Sequence, residues 1–335
     1  MAASPEVGDC VTARVTVRGT AARTSHCIAI LAGLVFLCAL PVRAGAYYVT
    51  VAGLGGEPDY EQRFTALAKD LDKLLKSSGS DAHVYTLFGD QASRAHLTDT
   101  MGTVARQAKP EDEFVLILIG HGTFDGVEYK FNLPGPDISA TELAALCDHV
   151  PAKRQLIVNT TSASGGSIAA FQKPGRAVIA ATKSGTEKNA TVFARYWVDA
   201  LRDSTADVNK DDAISALEAF QFAARKTAEF YDSQKRLATE HPVFEDAGKG
   251  EPVRESSTAS GEGLLASGFT IVRIGDAQKA AADPAKRDLL AKKEDLERKV
   301  DTLKYQKAAM AEEDYKKQLT EALVELARIQ EELDK

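Results

Sequence analysis

The feature that most constrains the fold is the segment EFVLILIGHG at residues 113–122, where six consecutive apolar residues precede Gly-His-Gly. A strand with one face in water alternates between apolar and polar residues, and this run does not. Both of its faces must therefore be covered by other parts of the chain. That pattern is typical of a central strand in a parallel sheet with helices on both sides.

The rest of the chain alternates between strand and helix patterns. Strands are predicted at residues 47–53, 81–89, 113–122, 154–159, 176–182 and 268–275. Helices are predicted at residues 59–79, 92–108, 139–148 and 191–203. Strands separated by helices indicate βαβ units. We therefore predict an α/β protein, a three-layer α/β/α sandwich with a mostly parallel central sheet, over residues 47–275.

The first 46 residues predict a secretory signal peptide. Arg14, Arg18 and Arg23 precede the apolar stretch CIAILAGLVFLCALPV, and small residues follow up to Ala46. A basic region, a short apolar core and a small-residue cleavage site are the three parts of such a peptide. We expect a periplasmic or secreted protein that is cut near Ala46. An uncleaved leader that anchors the chain in a membrane is the alternative.

Charge and cysteine content narrow the partners and the compartment. The net charge is −7 and no basic stripe stands out, which argues against a nucleic-acid partner. Three of the four cysteines lie in the predicted leader, so the mature chain would keep only Cys147 and form no internal disulfide. Cys147 follows Leu143 and Leu146 in a predicted helix, and we interpret it as a small buried apolar residue.

Residues 286–335 predict a helical C-terminal segment, separated from the main domain by a linker at residues 276–285. The segment is rich in Ala, Glu, Lys and Leu, and an acidic turn near residues 309–315 separates two apolar stripes. We predict two helices that form a hairpin or a broken coiled coil. Packing against the main domain and self-association of the chain are both compatible with these stripes.

Candidate functional residues follow the predicted strands, because ligands of parallel sheets bind at the carboxyl ends of the strands. His121 follows the central strand and can act as a general base near neutral pH. The backbone N–H of Gly122 can bind an oxyanion. Ser162 and Ser164 follow the next strand. Neighbouring strands lie about 4.8 Å apart, so we expect the histidine and the serines to come close together.

These strand ends resemble the active-site pattern of the caspase-like cysteine peptidases, and most closely of the legumain branch. FVLILIGHGTFDG is similar to the histidine strand of that family, and LIVNTTSASGGS to its cysteine strand. VIAATKSGTEKN resembles the next strand with its substrate loop, and ATEHPVFEDAGKG the end of the domain in bacterial relatives. The resemblance spans roughly residues 47–250. It implies a caspase/legumain-like fold and a peptide or protein segment as the ligand.

The resemblance also implies roles for individual residues. Aligning Ser164-Gly165 with the Ser-Gly of the family places Ser162 at the nucleophile position, where the family has cysteine. The basic pair that shapes the specificity pocket of the family corresponds to Glu61-Gln62. The asparagine that assists the histidine in legumains is absent, because Leu54-Gly55 occupy its place.

The substrate loop of the family corresponds to the residues after the strand at 176–182. In this chain the residues expected to contact a substrate there are Thr182, Ser184 and Glu187.

Three functions are compatible with these residues. The first, which we expect, is a degenerate site that binds a peptide or protein segment, because a serine hydroxyl needs far more activation than a thiol. The second is an active hydrolase with His121 as base, Ser162 as nucleophile and the amides of Gly122 and Ser162 as oxyanion donors. The third is a scaffold that acts through residues 286–335, with Ser164 capping the next helix.

Cofactor chemistry is not expected, but a structural calcium ion is. The GLGG segment at residues 53–56 lacks the third glycine of a dinucleotide fingerprint. Residues 206–220 fit a calcium loop except at Asp212, where glycine is usual; the alternative is an acidic turn that caps a helix. The predicted ligands are Asp207, Asn209, Asp211, the carbonyl of Ala213, Ser215 and Glu218.

Overall fold

The structure is a computed structural model that describes residues 44–78 and 82–335. The predicted leader lies outside the described residues except for residues 44–46. The strands are β1 (Ala46–Ala52), β2 (Ala82–Leu87), β3 (Glu113–Ile119), β4 (Gly122–Phe124), β5 (Tyr129–Phe131), β6 (Ile138–Ser139), β7 (Arg154–Asn159), β8 (Arg176–Ala180), β9 (Ala213–Ser215), β10 (Val243–Glu245) and β11 (Thr270–Arg273). The helices are α1 (Pro58–Ser77), α2 (Arg94–Gln107), α3 (Ala140–Asp148), α4 (Ile168–Phe171), α5 (Phe193–Ala200), α6 (Ala216–Ser233), α7 (Leu264–Ser267), α8 (Gly275–Ala282), α9 (Arg287–Gln306) and α10 (Glu312–Leu333).

A six-stranded sheet forms the centre of the molecule, in the order β10-β8-β7-β3-β1-β2. Five strands are parallel, and β10 joins the edge of the sheet antiparallel to β8. The strand with the six-residue apolar run, β3, lies between β7 and β1. The predicted α/β class with a mostly parallel sheet is therefore confirmed.

The two faces of β3 enter two different cores, because successive side chains of a strand leave opposite faces of the sheet. Val115, Ile117 and Ile119 pack in one core with residues of α1, α5 and α6. The intervening residues of β3 pack in a second core with residues of α2, α3 and α4. All six residues from Phe114 to Ile119 are at most 1% exposed. The apolar run is thus explained by helices on both faces of the sheet.

A small antiparallel sheet, β4-β5-β6, follows the central strand and was not predicted. The turn between β4 and β5 contains Asp125, whose carboxylate accepts hydrogen bonds from the backbone N–H groups of Val127 and Glu128, both at 2.8 Å. Asp-Gly between two short apolar stretches is a common hairpin signal. The hairpin places Phe124 and Tyr129 near the carboxyl ends of the main strands.

The predicted linker at residues 276–285 is folded over most of its length, because Gly275–Ala282 form helix α8. Alanine favours helices strongly, and here Ala277, Ala280 and Ala281 also pack against Leu290 of α9. The helix ends at Ala282, since Pro284 disfavours a helical conformation at the residue before it. The connection to the C-terminal helices is therefore a folded element.

The two predicted C-terminal helices are present as α9 and α10. They are antiparallel neighbours, because Lys286 at the start of α9 donates a hydrogen bond of 2.6 Å to the carbonyl of Leu333 at the end of α10. Leu323 and Val324 of α10 remain 49% and 46% exposed. Within residues 44–78 and 82–335, no helix is both long and apolar enough to cross a bilayer.

Candidate functional site at the carboxyl ends of the strands

His121 and Ser162 lie at the same edge of the sheet. His121 comes two residues after the end of β3, and Ser162 comes three residues after the end of β7. The two strands are parallel neighbours, with Leu118 opposite Asn159 near their carboxyl ends. The chain therefore brings together the two strand ends that carry the predicted base and the predicted nucleophile.

The imidazole of His121 packs against two neighbouring aromatic rings of α1. Its ring centroid lies 4.7 Å from that of Tyr60 and 5.1 Å from that of Phe64, both with edge-to-face geometry. Burial lowers the pKa of His121, and the nearby backbone of Gly55 and carboxylate of Glu57 offset this in part. The neutral imidazole is favoured at pH 7. No carboxylate of the described residues forms an ion pair with it.

The hydroxyl of Ser162 is bound to the backbone of Gly122. Ser162 Oγ accepts a hydrogen bond from the Gly122 N–H at 3.1 Å and donates one to the Gly122 carbonyl at 3.1 Å. Ser162 is only 3% exposed. Within the described part of the chain, no hydrogen bond joins Ser162 to the His121 imidazole. The predicted oxyanion donor and the predicted nucleophile thus satisfy each other.

Close packing around Gly122 explains why a glycine occupies this position. A Cβ atom on Gly122 would lie 2.4 Å from a ring carbon of Tyr129 and 2.6 Å from the carbonyl oxygen of Ser162. The Tyr129 hydroxyl contacts the Thr161 hydroxyl at 2.6 Å and lies 3.3 Å from the Asn159 side chain. All of these groups are buried. A closed network of neutral hydrogen bonds therefore holds the turn that carries Ser162.

Ser164 serves the same turn by linking it to the end of β8. Its hydroxyl lies 3.2 Å from that of Thr182 and accepts a hydrogen bond from the Thr182 N–H at 3.1 Å. Thr182 also accepts a hydrogen bond from the Gly165 N–H at 2.9 Å. Both Ser164 and Thr182 are completely buried. Their hydroxyl groups hold two loops together and do not face solvent.

Glu187 connects the loop at residues 181–191 to two other segments. Its carbonyl accepts a hydrogen bond from the Ala163 N–H at 2.8 Å, next to Ser162. Its carboxylate accepts a hydrogen bond of 2.5 Å from the imidazole of His241 and another from the Lys183 N–H. Ser184, in the same loop, is partly exposed and contacts the Thr186 hydroxyl.

Glu240, which was not predicted, lies beside the Glu187–His241 pair. Its carboxylate accepts hydrogen bonds from the backbone N–H groups of Val192 and Phe193 and from the Tyr231 hydroxyl at 3.0 Å. Burial, with a smaller contribution from the charge of Glu187, raises the pKa of Glu240 to about 7. The wall of the site therefore contains a group that titrates near neutral pH.

Glu61 stabilises the loop after β1. Its carboxylate accepts a hydrogen bond of 2.9 Å from the Gly55 N–H. A Cβ atom on Gly55 would lie 2.4 Å from the backbone nitrogen of Glu61, so this loop packs tightly onto the first turn of α1. The arrangement sets the position of the backbone beside His121.

Cys147 takes no part in the site. It is completely buried in α3, and burial raises the pKa of its thiol to about 12. The interpretation of Cys147 as a buried apolar residue is confirmed.

The loop at residues 207–218 carries the oxygen-bearing side chains that the sequence predicts as calcium ligands. Asp212, where glycine was expected, adopts the left-handed conformation with φ of 65°. Ser215 caps α6 and forms a capping box with Glu218. The side chains predicted as ligands are carboxylates, one amide and one hydroxyl. Their oxygen atoms suit a hard cation such as calcium.

The carboxylates of that loop accept hydrogen bonds from its own backbone. Glu218 accepts them from the N–H groups of Val208 and Ser215, at 2.9 and 3.0 Å. In residues 44–78 and 82–335, no group of three or more His, Cys, Asp and Glu is arranged to hold a metal ion. An ion would therefore have to replace some of these hydrogen bonds.

Comparison with known proteins leaves the family of this chain open. The sequence matches no protein-family model and no curated protein. Among solved structures, the chain is similar to a protein from Geobacter sulfurreducens, with 16% identity over 62% of this chain and 94% of that one and a TM-score of 0.43.

Two similar structures are caspases. The Drosophila initiator caspase Dronc is 13% identical over 68% of this chain and 84% of that one, with a TM-score of 0.38. Caspase-1 from Spodoptera frugiperda is 13% identical over 61% of this chain and 86% of that one, with a TM-score of 0.42. The fold of this chain is defined by its own strand order, β10-β8-β7-β3-β1-β2.

Sequence reasoning missed four residues of this rim: Phe124, Tyr129, Glu240 and His241. The Asp-Gly turn at Asp125 is a signal that would have revealed the hairpin with Phe124 and Tyr129. Glu240 and His241 were missed because most of their partners, Val192, Phe193 and Glu187, lie about 50 residues away in the sequence.

Proposed function

We propose that this chain is a caspase-like pseudopeptidase that binds a peptide or protein segment beside the loop at residues 181–191. The observation that carries the proposal is the mutual hydrogen bonding of Ser162 and Gly122. Acyl transfer needs the serine hydroxyl to be free for attack and the amide to be free for the oxyanion. Here each of the two groups is occupied by the other.

The state of His121 supports the same proposal. A serine nucleophile requires a base that removes its proton, and a base is usually oriented by a third polar group. His121 is held by aromatic rings, and its lowered pKa makes it a weaker base. A serine in place of the cysteine of the family therefore lacks the activation that it would need.

Recognition remains chemically reasonable at this rim. Ligands of parallel sheets bind at the carboxyl ends of the strands, and extended peptides bind through main-chain hydrogen bonds and side-chain pockets. The loop at residues 181–191 is held on both sides by Glu187, through Ala163 and through His241. A loop held in this way provides a rigid wall for a peptide.

Labelling of the full-length protein with a fluorophosphonate probe tests the loss of catalysis. A pseudopeptidase gives no labelling of Ser162 in folded protein, whereas an active serine hydrolase treated in parallel is labelled. Labelling of Ser162 that disappears in both Ser162→Ala and His121→Ala would establish the alternative function, a Ser-His hydrolase.

Selection from a library of unstructured twelve-residue peptides tests recognition. Selected peptides should bind the wild-type protein and lose affinity for Glu187→Ala, which removes the side-chain contact of the loop with His241. Glu251→Ala, at an exposed position, is the matched control. Peptides that bind both variants equally well would place recognition elsewhere.

Three further properties remain proposals. We propose export to the periplasm or the exterior through the leader at residues 1–46, with membrane attachment only if that leader stays uncleaved. We propose a structural calcium ion in the loop at residues 207–218.

Self-association through residues 286–335 is supported by the exposed Leu323 and Val324. Sedimentation of the wild type and of Leu323→Glu at several concentrations tests it, and an unchanged monomer in both would exclude it.

A further inference from the structure

Phe124, the last residue of β4, packs on two glycines from two different loops. A Cβ atom on Gly185 would lie 2.3 Å from Cγ of Phe124, and one on Gly166 would lie 2.8 Å from Cδ2. Neither distance is tolerated between real atoms, so any side chain at either position would displace the ring. The two glycines lie side by side, because a Cβ atom on Gly166 would also lie 3.1 Å from Cα of Gly185. Together they form the floor of a shallow cleft that contacts one face of the aromatic ring.

Both loops of this cleft belong to the candidate binding site. Gly166 lies in the turn that follows Ser162, and Gly185 lies in the loop at residues 181–191. Thr182 joins these loops through its hydrogen bonds to Ser164 and Gly165. The cleft therefore has fixed walls that do not depend on Phe124.

Phe124 differs from the core aromatic residues of the same hairpin. Its cross-strand partner Tyr129 and the neighbouring Phe131 are completely buried, whereas Phe124 is only partly buried. The turn beyond it is exposed, with Val127 at 91% exposure. The backbone hydrogen bond that closes the turn, from Asp125 N–H to the Glu128 carbonyl, is long at 3.4 Å, so the Asp125 carboxylate provides the shorter hydrogen bonds of the turn.

The elements that hold Phe124 in the cleft are short. Strand β4 has three residues, and within the described part of the chain it pairs with β5 alone, outside the six-stranded sheet. Segments with few buried contacts and exposed backbone open at a lower free energy than core strands do. Opening of the turn and of the Phe124–Tyr129 pair would release the ring, while Thr182 still joins the two glycine-bearing loops.

We propose that the Gly166–Gly185 cleft is a pocket for an aromatic side chain of an extended peptide, and that Phe124 occupies it until such a ligand displaces the ring. The proposal rests on the proposed function, because it names the side chain which that binding site selects. The ring of Phe124 is the internal example of the chemistry that fits. The two glycines have no side chains, so a flat ring can lie directly against their backbone.

Removal of the internal ring tests the pocket. In Phe124→Ala the cleft is open, and the probe acetyl-Ala-Phe-Ala-amide should bind at least roughly tenfold more tightly than to the wild type, given the usual gain from burying a phenylalanine. The probe acetyl-Ala-Ala-Ala-amide should show no such gain. Calorimetric titration of the full-length protein with each tripeptide gives the two affinities.

Two matched variants show where the tripeptide binds. Gly185→Ala added to Phe124→Ala places a methyl group in the cleft and should abolish the gain, since Gly185 has no positive φ and tolerates alanine. Val127→Ala, on the same hairpin, should behave as the wild type. A flanked tripeptide cannot enter a sealed cavity, so its binding distinguishes an open pocket from a simple packing defect.

Several outcomes would overturn the pocket. The first is equal affinity of folded Phe124→Ala and wild type for the phenylalanine tripeptide. The second is that Phe124→Ala binds the alanine tripeptide as tightly as the phenylalanine tripeptide. The third is that the double variant keeps the gain in affinity. If Phe124→Ala does not fold, Phe124→Leu replaces it. Phe124→Leu should bind the phenylalanine tripeptide more tightly than the wild type does, with a gain below the one expected for Phe124→Ala.

The pocket and the proposed function fail in different ways. Library peptides that bind beside residues 181–191 without an aromatic residue would leave the recognition function in place and remove the pocket. Fluorophosphonate labelling of Ser162 would contradict the proposed pseudopeptidase function. The tripeptide affinities test the pocket independently of that result.

Discussion

At the scale of single residues, the backbone of Gly122 is the centre of the site. Its N–H and carbonyl bind Ser162, and its missing side chain makes room for Tyr129. The residue therefore sets the distance between β3 and the turn after β7. The Ser162 hydroxyl makes no hydrogen bond to His121, because the N–H and the carbonyl of Gly122 already serve as its donor and its acceptor.

Gly122→Ala should reduce the free energy of unfolding by about 1–3 kcal/mol, because the added methyl group overlaps Tyr129 and the Ser162 carbonyl. Urea denaturation measures the change. Gly102→Ala is the control: Gly102 lies inside α2, where its Cβ would meet only the end of Arg106, and alanine should add about 0.5–1 kcal/mol. Equal stability of Gly122→Ala and wild type would contradict the close packing.

Glu240 should make stability fall as the pH rises. A buried carboxyl whose folded pKa is about 7 keeps its proton in the folded state, whereas in the unfolded chain it loses the proton near pH 4.5. The folded state therefore loses about 1–3 kcal/mol from this group between pH 4.5 and 8. Denaturation at several pH values should show this slope in the wild type.

Glu240→Gln should reduce that slope, because glutamine carries no charge at any of these pH values. Part of the slope should remain, because burial also raises the pKa of Glu297 to about 7. Glu251→Gln, at an exposed position, should keep the slope of the wild type. A slope in Glu240→Gln as steep as that of the wild type would assign the whole titration to other groups.

At the scale of elements, the loop between α5 and α6 combines a helix start with a candidate ion site. Ser215 begins α6 and Glu218 closes its capping box. Burial raises the pKa of Asp211, and the charges of Glu218 and Asp207 add to this. Repulsion between these carboxylates favours a divalent cation, which would have to replace some of their hydrogen bonds to the backbone.

Calcium should therefore raise the melting temperature of the wild type. Asp211→Asn keeps an oxygen acceptor for the Ala213 N–H but removes one negative charge, so it should weaken calcium binding by roughly tenfold or more. Asp125→Asn, in the exposed hairpin turn, is the control and should bind calcium as the wild type does. Thermal unfolding with calcium and with a chelator tests this, and identical curves would leave the loop an acidic turn.

At the scale of the whole molecule, the C-terminal hairpin is joined to the α/β domain by more than its connecting chain. Arg273 of β11 makes two hydrogen bonds to the carboxylate of Glu294 in α9, at 2.6 and 2.9 Å, and both side chains are mostly buried. Ile271 and Val272 of β11 belong to one of the two main cores. The hairpin and the domain should therefore unfold in a single transition.

Glu294→Gln should reduce the free energy of unfolding by about 2 kcal/mol. This value lies between the cost of breaking an exposed ion pair and that of breaking a buried one, because the Arg273–Glu294 pair is mostly but not completely buried. The whole transition should move to lower temperature, because Arg273 is left partly buried without its partner. Glu312→Gln, which breaks the exposed pair with Lys316, should leave stability unchanged. A separate early transition in Glu294→Gln would mean that the hairpin unfolds on its own.

Much of the architecture follows from local patterns in the sequence. The six-residue apolar run predicts the central strand, and the alternation of strands and helices predicts the parallel sheet and the edge where Ser162 and His121 lie. Those inferences succeed because neighbouring residues determine periodicity and burial. Strand β10 and helix α8 escaped prediction, because a three-residue strand has no period of its own and an alanine-rich segment resembles a linker until its partners are known.

What only the tertiary structure decided is how the residues at that edge are paired. The sequence by itself placed a serine and a histidine at adjacent strand ends. The bond of Ser162 to Gly122, the packing of the Phe124 ring on Gly166 and Gly185, and the contact of Glu187 with His241 join residues 40 to 61 positions apart. Hydrogen bonds and ring contacts depend on distances of a few tenths of an ångström, and the packing of the whole core sets those distances.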